Sequence, residues 1–213
     1  GYASISSPMA TDFATTSGDN TKMFYYDGSA FAWRTSDQAG RGYFASIGTS
    51  VFATSAGTFS VTGTPNTRMT HSLSYSANAA ANGSGTGWNL VGNPYTCSLS
   101  WAAMTKTDVN DAYYLWDPAT SLYKYYASGA ISGTYLSASN TLNGIIPPMQ
   151  AIWVQTTSNS AALSSTMADD GVLDNTSTFL SKTNPDNLIL GVVALNDSSV
   201  NDAMWLIDNM QAT

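Results

Sequence analysis

The chain has 213 residues, enough for one large β domain or two small ones with a core of ordinary size. Only 10% of the residues are charged, the net charge is −7, and the seven Lys and Arg are scattered, which argues against nucleic acid and anionic membrane surfaces as partners. No apolar run reaches the ~20 residues of a membrane span, so no membrane insertion is expected, and a single cysteine, Cys97, excludes an internal disulfide or a multi-cysteine metal site.

All fourteen acidic residues are Asp and Glu is absent, while Tyr, Trp, Thr, Ser and Asn are plentiful. Glu and Lys favour helices, whereas Asp, Asn, Ser and Gly favour turns. This balance predicts an all-β chain, an antiparallel β-sandwich with polar turns. So few charges on a surface rich in Ser, Thr and Asn also suit an extracellular, cell-surface protein.

In chain order, a strand at Ala3-Ser4-Ile5-Ser6-Ser7 stops at Pro8. Lys22-Met23-Phe24-Tyr25-Tyr26 follows, closed by the hairpin signal Asp27-Gly28, with Ala30-Phe31-Ala32-Trp33-Arg34 returning. Gly40-Arg41-Gly42 leads into Tyr43–Ile47, and further strands are expected at Val51–Ala53, Thr58–Thr62 and Thr70–Ser76. A polar loop from Ala77 to Thr86 ends this half.

The second half opens on Gly87-Trp88-Asn89-Leu90-Val91-Gly92-Asn93-Pro94-Tyr95, a short strand ended by a turn that Gly92 and Pro94 specify. It then repeats the plan of the first. Ala112–Pro118 answers Met23–Gly28, Leu122–Tyr126 answers the Phe31/Trp33 strand, and Ala151–Gln155 answers Tyr43–Ile47. The offset is 86 residues at the prolines and 90 at the Asp turns. We read a diverged internal duplication over residues 1–165, with halves of about 1–80 and 81–165.

Residues 166–213 differ in character: a polar linker, then two apolar strands, Asn187–Leu195 and Asp202–Asp208, expected to form a C-terminal β-hairpin. A two-stranded hairpin cannot bury such surface alone. It must pack on the main body, on the start of a second module, or on another subunit; Leu188, Leu190, Val192, Met204 and Leu206 are its candidate assembly residues.

Three motifs recur in order: Gly87–Tyr95 with Trp101, then Tyr114-Leu115-Trp116-Asp117, then Ile146-Pro147-Pro148-Met149-Gln150-Ala151-Ile152-Trp153-Val154. Together with Ile5-Ser6-Ser7-Pro8, Gly40-Arg41-Gly42-Tyr43 and Phe59-Ser60-Val61-Thr62-Gly63-Thr64 upstream, they resemble, over residues 4–155, a family of secreted surface proteins of Bacteroidota. The resemblance implies a β-rich module of a long cell-surface or matrix protein exported by the type IX route. It implies no catalytic residues.

Chemistry read from the residues themselves is sparse. A Ser-His-Asp or Cys-His arrangement would have to use His71, the one histidine, which sits in an alternating strand without a nucleophile elbow. Most Asp occupy turn contexts, so a carboxylate pair for glycosidase work is not indicated. No enzyme is expected. Calcium is the one cofactor left open, with Asp169, Asp170 and Asp174 as candidate hard-oxygen ligands. Tyr114, Trp116, Tyr123 and Tyr125 on one hairpin could form an aromatic platform for polysaccharide.

The leading expectation is a non-enzymatic structural or adhesive protein of the cell surface, joining copies of itself or neighbouring modules into a filament or matrix. A carbohydrate-binding module of a secreted protein is the alternative.

Overall fold

The computed structural model describes residues 2–5, 23–26, 30–33, 38–46, 63–71, 73–75, 87–117, 120–128, 139–140, 142–172, 189–196 and 199–207. The expected strands at Val51–Ala53 and Thr58–Thr62, the loop at 77–86, and Asp174 and Leu188 lie outside the described residues. The described residues are nearly all β, as expected, a sandwich-like stack of sheets that are antiparallel but for one two-residue parallel pairing.

The first four strands are β1 (Tyr2–Ile5), β2 (Met23–Tyr26), β3 (Phe31–Trp33) and β4 (Tyr43–Ser46), joined in the order β1-β4-β2-β3. Next come β5 (Arg68–His71), β6 (Trp88–Gly92), β7 (Ser98–Ser100), β8 (Thr105–Thr107), β9 (Val109–Asp117) and β10 (Leu122–Ala127). The remainder are β11 (Ser139–Asn140), β12 (Ile145–Ile146), β13 (Ala151–Thr156), β14 (Ala162–Thr166), α1 (Met167–Asp170), β15 (Gly171–Val172), β16 (Ile189–Asn196) and β17 (Ser199–Ile207). The central sheet has the order β11-β10-β9-β13-β6, and two three-stranded sheets, β12-β7-β15 and β5-β14-β8, accompany it.

The first sheet and the central sheet share one plan. Replacing β1, β4, β2 and β3 by β6, β13, β9 and β10 converts one strand order into the other. The registers agree as well. A row running Ser4, Phe44, Phe24, Trp33 across the first sheet answers Leu90, Trp153, Tyr114, Tyr125 across the central one. Each β4-type strand is entered from a left-handed residue four positions before that row, Gly40 (φ 72) and Met149 (φ 60). Contacts between the sheets are exchanged in the same way: β1 lies against β9 and β13, and β6 lies against β2 and β4. We propose that this correspondence records the duplication suggested by the sequence, with a pseudo-two-fold relation between its halves.

Alternation along β9 divides the core. Tyr113 and Leu115 face a cluster containing Val91, Tyr95, Leu99, Trp101, Ile146, Ile152, Val154 and Leu163. Ala112 and Tyr114 face a second cluster with Leu90, Ala151 and Trp153, against which Tyr26 and Phe44 of the first sheet pack. The central sheet is therefore buried on both faces, which explains why its strands are apolar at consecutive positions.

Two expectations are corrected. The strand expected over Thr70–Ser76 ends at His71, because the Asn89 side chain captures the next backbone: Ser74 N–H donates to Asn89 Oδ1 at 2.8 Å, and Asn89 Nδ2 donates to the Ser74 carbonyl at 2.8 Å. The polar linker expected from residue 166 opens with a short helix. Thr166 caps it by accepting from Asp169 N–H at 3.1 Å, and the Asp169 carboxylate accepts from the Thr166 hydroxyl at 2.7 Å.

Candidate functional site

The turn after β6 and the segment before β13 carry the most specific sequence motifs, and the structure joins them at Asn93. Its side chain is 2% exposed. The amide Nδ2 is shared among the carbonyls of Cys97, Ile146 and Pro147 at 2.8, 3.1 and 3.0 Å, and Oδ1 accepts from Tyr95 N–H at 3.0 Å. Asn93 N–H donates to the Gln150 carbonyl at 2.8 Å. One amide thus ties the Gly-Asn-Pro turn to the Ile-Pro-Pro-Met-Gln segment. The role is architectural, and Cys97 beside it is half-buried against the core with its thiol pKa raised by burial.

The aromatic residues of the hairpin β9–β10 stand in register, Trp116 opposite Tyr123 and Tyr114 opposite Tyr125. The first pair meets edge to face with ring centroids 5.0 Å apart, and the second is tilted at 5.9 Å. Tyr114 is 6% exposed and packs edge to face on Trp88 at 5.1 Å. Trp116, Tyr123 and Tyr125 are half-buried, so what faces solvent in this row is carried by these three rings.

Residues outside the candidate platform complete the cluster. Trp153 of β13 is met by Tyr26 at 5.1 Å, Phe31 at 6.0 Å, Phe44 at 6.1 Å and Trp88 at 6.5 Å. Phe31, on the outer strand of the first sheet, remains 54% exposed. Burial pushes the Tyr123 hydroxyl pKa up, and the neighbouring Trp153 indole partly offsets this. The alternation of Phe31 and Trp33 signalled a strand; that the strand faces Trp153 depends on how the two sheets meet.

The candidate calcium ligands are placed differently. Asp169 belongs to the cap of α1, and Asp170, which is buried, accepts from Thr166 N–H at 2.7 Å. These bonds account for both carboxylates as helix-terminus partners. Among the described residues no group of three or more His, Cys, Asp or Glu is arranged to hold a metal ion. The charged pair Asp117 and Lys124, 2.7 Å apart, lies on the face of the hairpin opposite Trp116.

His71 is buried on β5, its Nδ1–H donating to the Gly40 carbonyl at 3.0 Å, and desolvation lowers its pKa to about 4. A neutral imidazole bonded to backbone is a packing element, and no nucleophile is among its described hydrogen-bond partners.

The C-terminal hairpin forms a two-stranded ladder, β16 with β17, closing at Asn196 opposite Ser199. Its register sets Leu190 opposite Leu206 and Val192 opposite Met204, with a bulge between Ala194 and Leu195. Among the described residues no third strand joins this ladder. No helix among the described residues is long and apolar enough to cross a membrane. Comparison with protein-family models, with curated proteins and with solved structures returns no match to this chain.

Proposed function

We propose that the protein is a non-enzymatic extracellular component that builds a surface filament or matrix by joining copies of itself. The observation that carries this reading is the β16–β17 ladder. Its strands are eight and nine residues long, and no strand pairs with either outer edge among the described residues. The run Leu188-Ile189-Leu190-Gly191-Val192-Val193-Ala194-Leu195 is continuously apolar, the pattern of a strand covered on both faces. A long apolar edge pairs readily with another chain, and a donated strand contributes main-chain hydrogen bonds with little demand on side-chain charge. A head-to-tail contact that does not close propagates into a filament.

The low charge, the Ser/Thr/Asn-rich composition and the resemblance to exported Bacteroidota surface proteins support the same reading. Light scattering and negative-stain microscopy of the whole chain and of a chain lacking Asn187–Thr213 test it. Large regular assemblies from the whole chain and monomers from the shortened chain are expected. A folded, shortened chain that still polymerises overturns the proposal.

A further inference from the structure

Two aromatic pairs close the two corresponding hairpins: Tyr26 with Phe31 on β2–β3, and Trp116 with Tyr123 on β9–β10. Both are edge-to-face contacts, at 5.4 and 5.0 Å. Trp153 stands between them, its ring against Tyr26 and Phe31 and its indole beside the Tyr123 hydroxyl. The Trp153 side chain is nine-tenths buried, and its Nε1–H makes no well-formed hydrogen bond, only a weaker approach to the Tyr123 hydroxyl. Leaving such a donor unpaired costs about 1–3 kcal/mol, and an indole N–H in a buried place usually has a partner.

We propose that this aromatic mouth is a binding site for a neutral sugar ring, stacked on Phe31 with one hydroxyl accepting the Trp153 N–H. Aromatic faces carry negative π density that attracts the C–H-rich face of a pyranose, while Trp153 and Tyr123 supply uncharged polar contacts. The ligand is uncharged because the charges described nearby are engaged elsewhere. Asp117 and Lys124 pair on the other face of their hairpin, and Arg41 lies 4.3 Å over Tyr25, which alternates away from Tyr26. The Trp153 N–H is shielded from solvent, so a neighbouring side chain must shift before a ligand hydroxyl reaches it, a fast motion for side chains at a surface.

Titration calorimetry of the whole chain against laminarin, xylan, galactomannan and hydroxyethyl cellulose, with alginate as the anionic comparator, tests the site. Saturable binding to at least one neutral polysaccharide is expected. Trp153→Phe, which keeps a ring and removes the donor, should weaken it about tenfold, the scale of one hydrogen bond. Phe31→Ala, at an exposed position, should weaken it to a similar degree with the near-ultraviolet dichroism retained. Failure of all four neutral polymers to bind, binding of alginate alone, or equal affinity in the Phe31→Ala protein would overturn the proposal. Polymerisation is read separately, so loss of this site leaves the assembly reading standing.

Discussion

Phe44 and Trp153 hold the same register position in two sheets that share one order over four strands, and they meet across the sandwich with ring centroids 6.1 Å apart and planes inclined by 42°. Contact between corresponding residues is what a two-fold relation between halves produces near its axis. The pair is also the hinge between fold and function, since Trp153 reaches from this contact to the rings around Phe31 and Tyr123.

Phe44→Leu and Trp153→Leu are therefore expected to be non-additive. A double-mutant cycle by urea unfolding should give a coupling of about 1 kcal/mol, the range for aromatic pairs beyond their area burial. Strict additivity would show that the two sheets meet without this contact.

Asn93→Ala should be among the most damaging single changes. It leaves Tyr95 N–H and three backbone carbonyls without their side-chain partner in a buried place. A loss of about 3 kcal/mol or more is expected in denaturant unfolding. Asn93→Asp should fare no better, because a carboxylate cannot donate to those carbonyls.

Glycine positions separate conformational strain from collision. Gly87 has φ 82, and a Cβ there would collide with the Thr156 backbone carbonyl, which cannot turn away. At Gly40, with φ 72, the Cβ would sit 2.9 Å from the His71 ring, a side-chain rather than a backbone obstacle. Both changes to Ala carry the left-handed penalty of about 1–2 kcal/mol. Gly87→Ala should cost more, measured as the difference in midpoint between the two variants.

His71 gives stability a specific pH dependence. Burial lowers its folded pKa from 6.5 to about 4, with the Gly40 hydrogen bond opposing the shift. Between these values the unfolded chain binds the proton more readily than the folded one, so stability is full above pH 6.5 and falls as pH drops towards 4. The total is about 3 kcal/mol. His71→Asn, which can keep a donor toward Gly40, should flatten the stability curve in this window relative to the parent chain.

Thr166→Ala removes the acceptor for Asp169 N–H at the start of α1. A loss of about 1 kcal/mol is expected from the missing cap. Thr166→Ser should recover most of it, since the hydroxyl alone makes the bond.

Much of the architecture was legible in the chain. Absence of Glu, period-two alternation and the Asp27-Gly28 signal specified strands and hairpins, because these are local properties of backbone and side chain. The parallel between Ala112–Pro118 and Met23–Gly28 has a counterpart in the matching strand orders of the first and central sheets, as expected where similar strands with similar turns pair alike. Short strands such as β7, β8 and β12 escaped notice, being two or three residues long and without a readable period. α1 was hidden because four residues cannot show a helical repeat, and its cap looks in sequence like an acidic loop.

The sequence by itself determined the fold class and the composition of the aromatic hairpin. Tertiary structure alone decided that Tyr114 is buried while Phe31 is not, and that Trp153 gathers rings from both sheets. Alternation assigns a residue to one side of a strand; only the packing of sheet on sheet decides which side meets solvent, because that depends on partners distant in the chain.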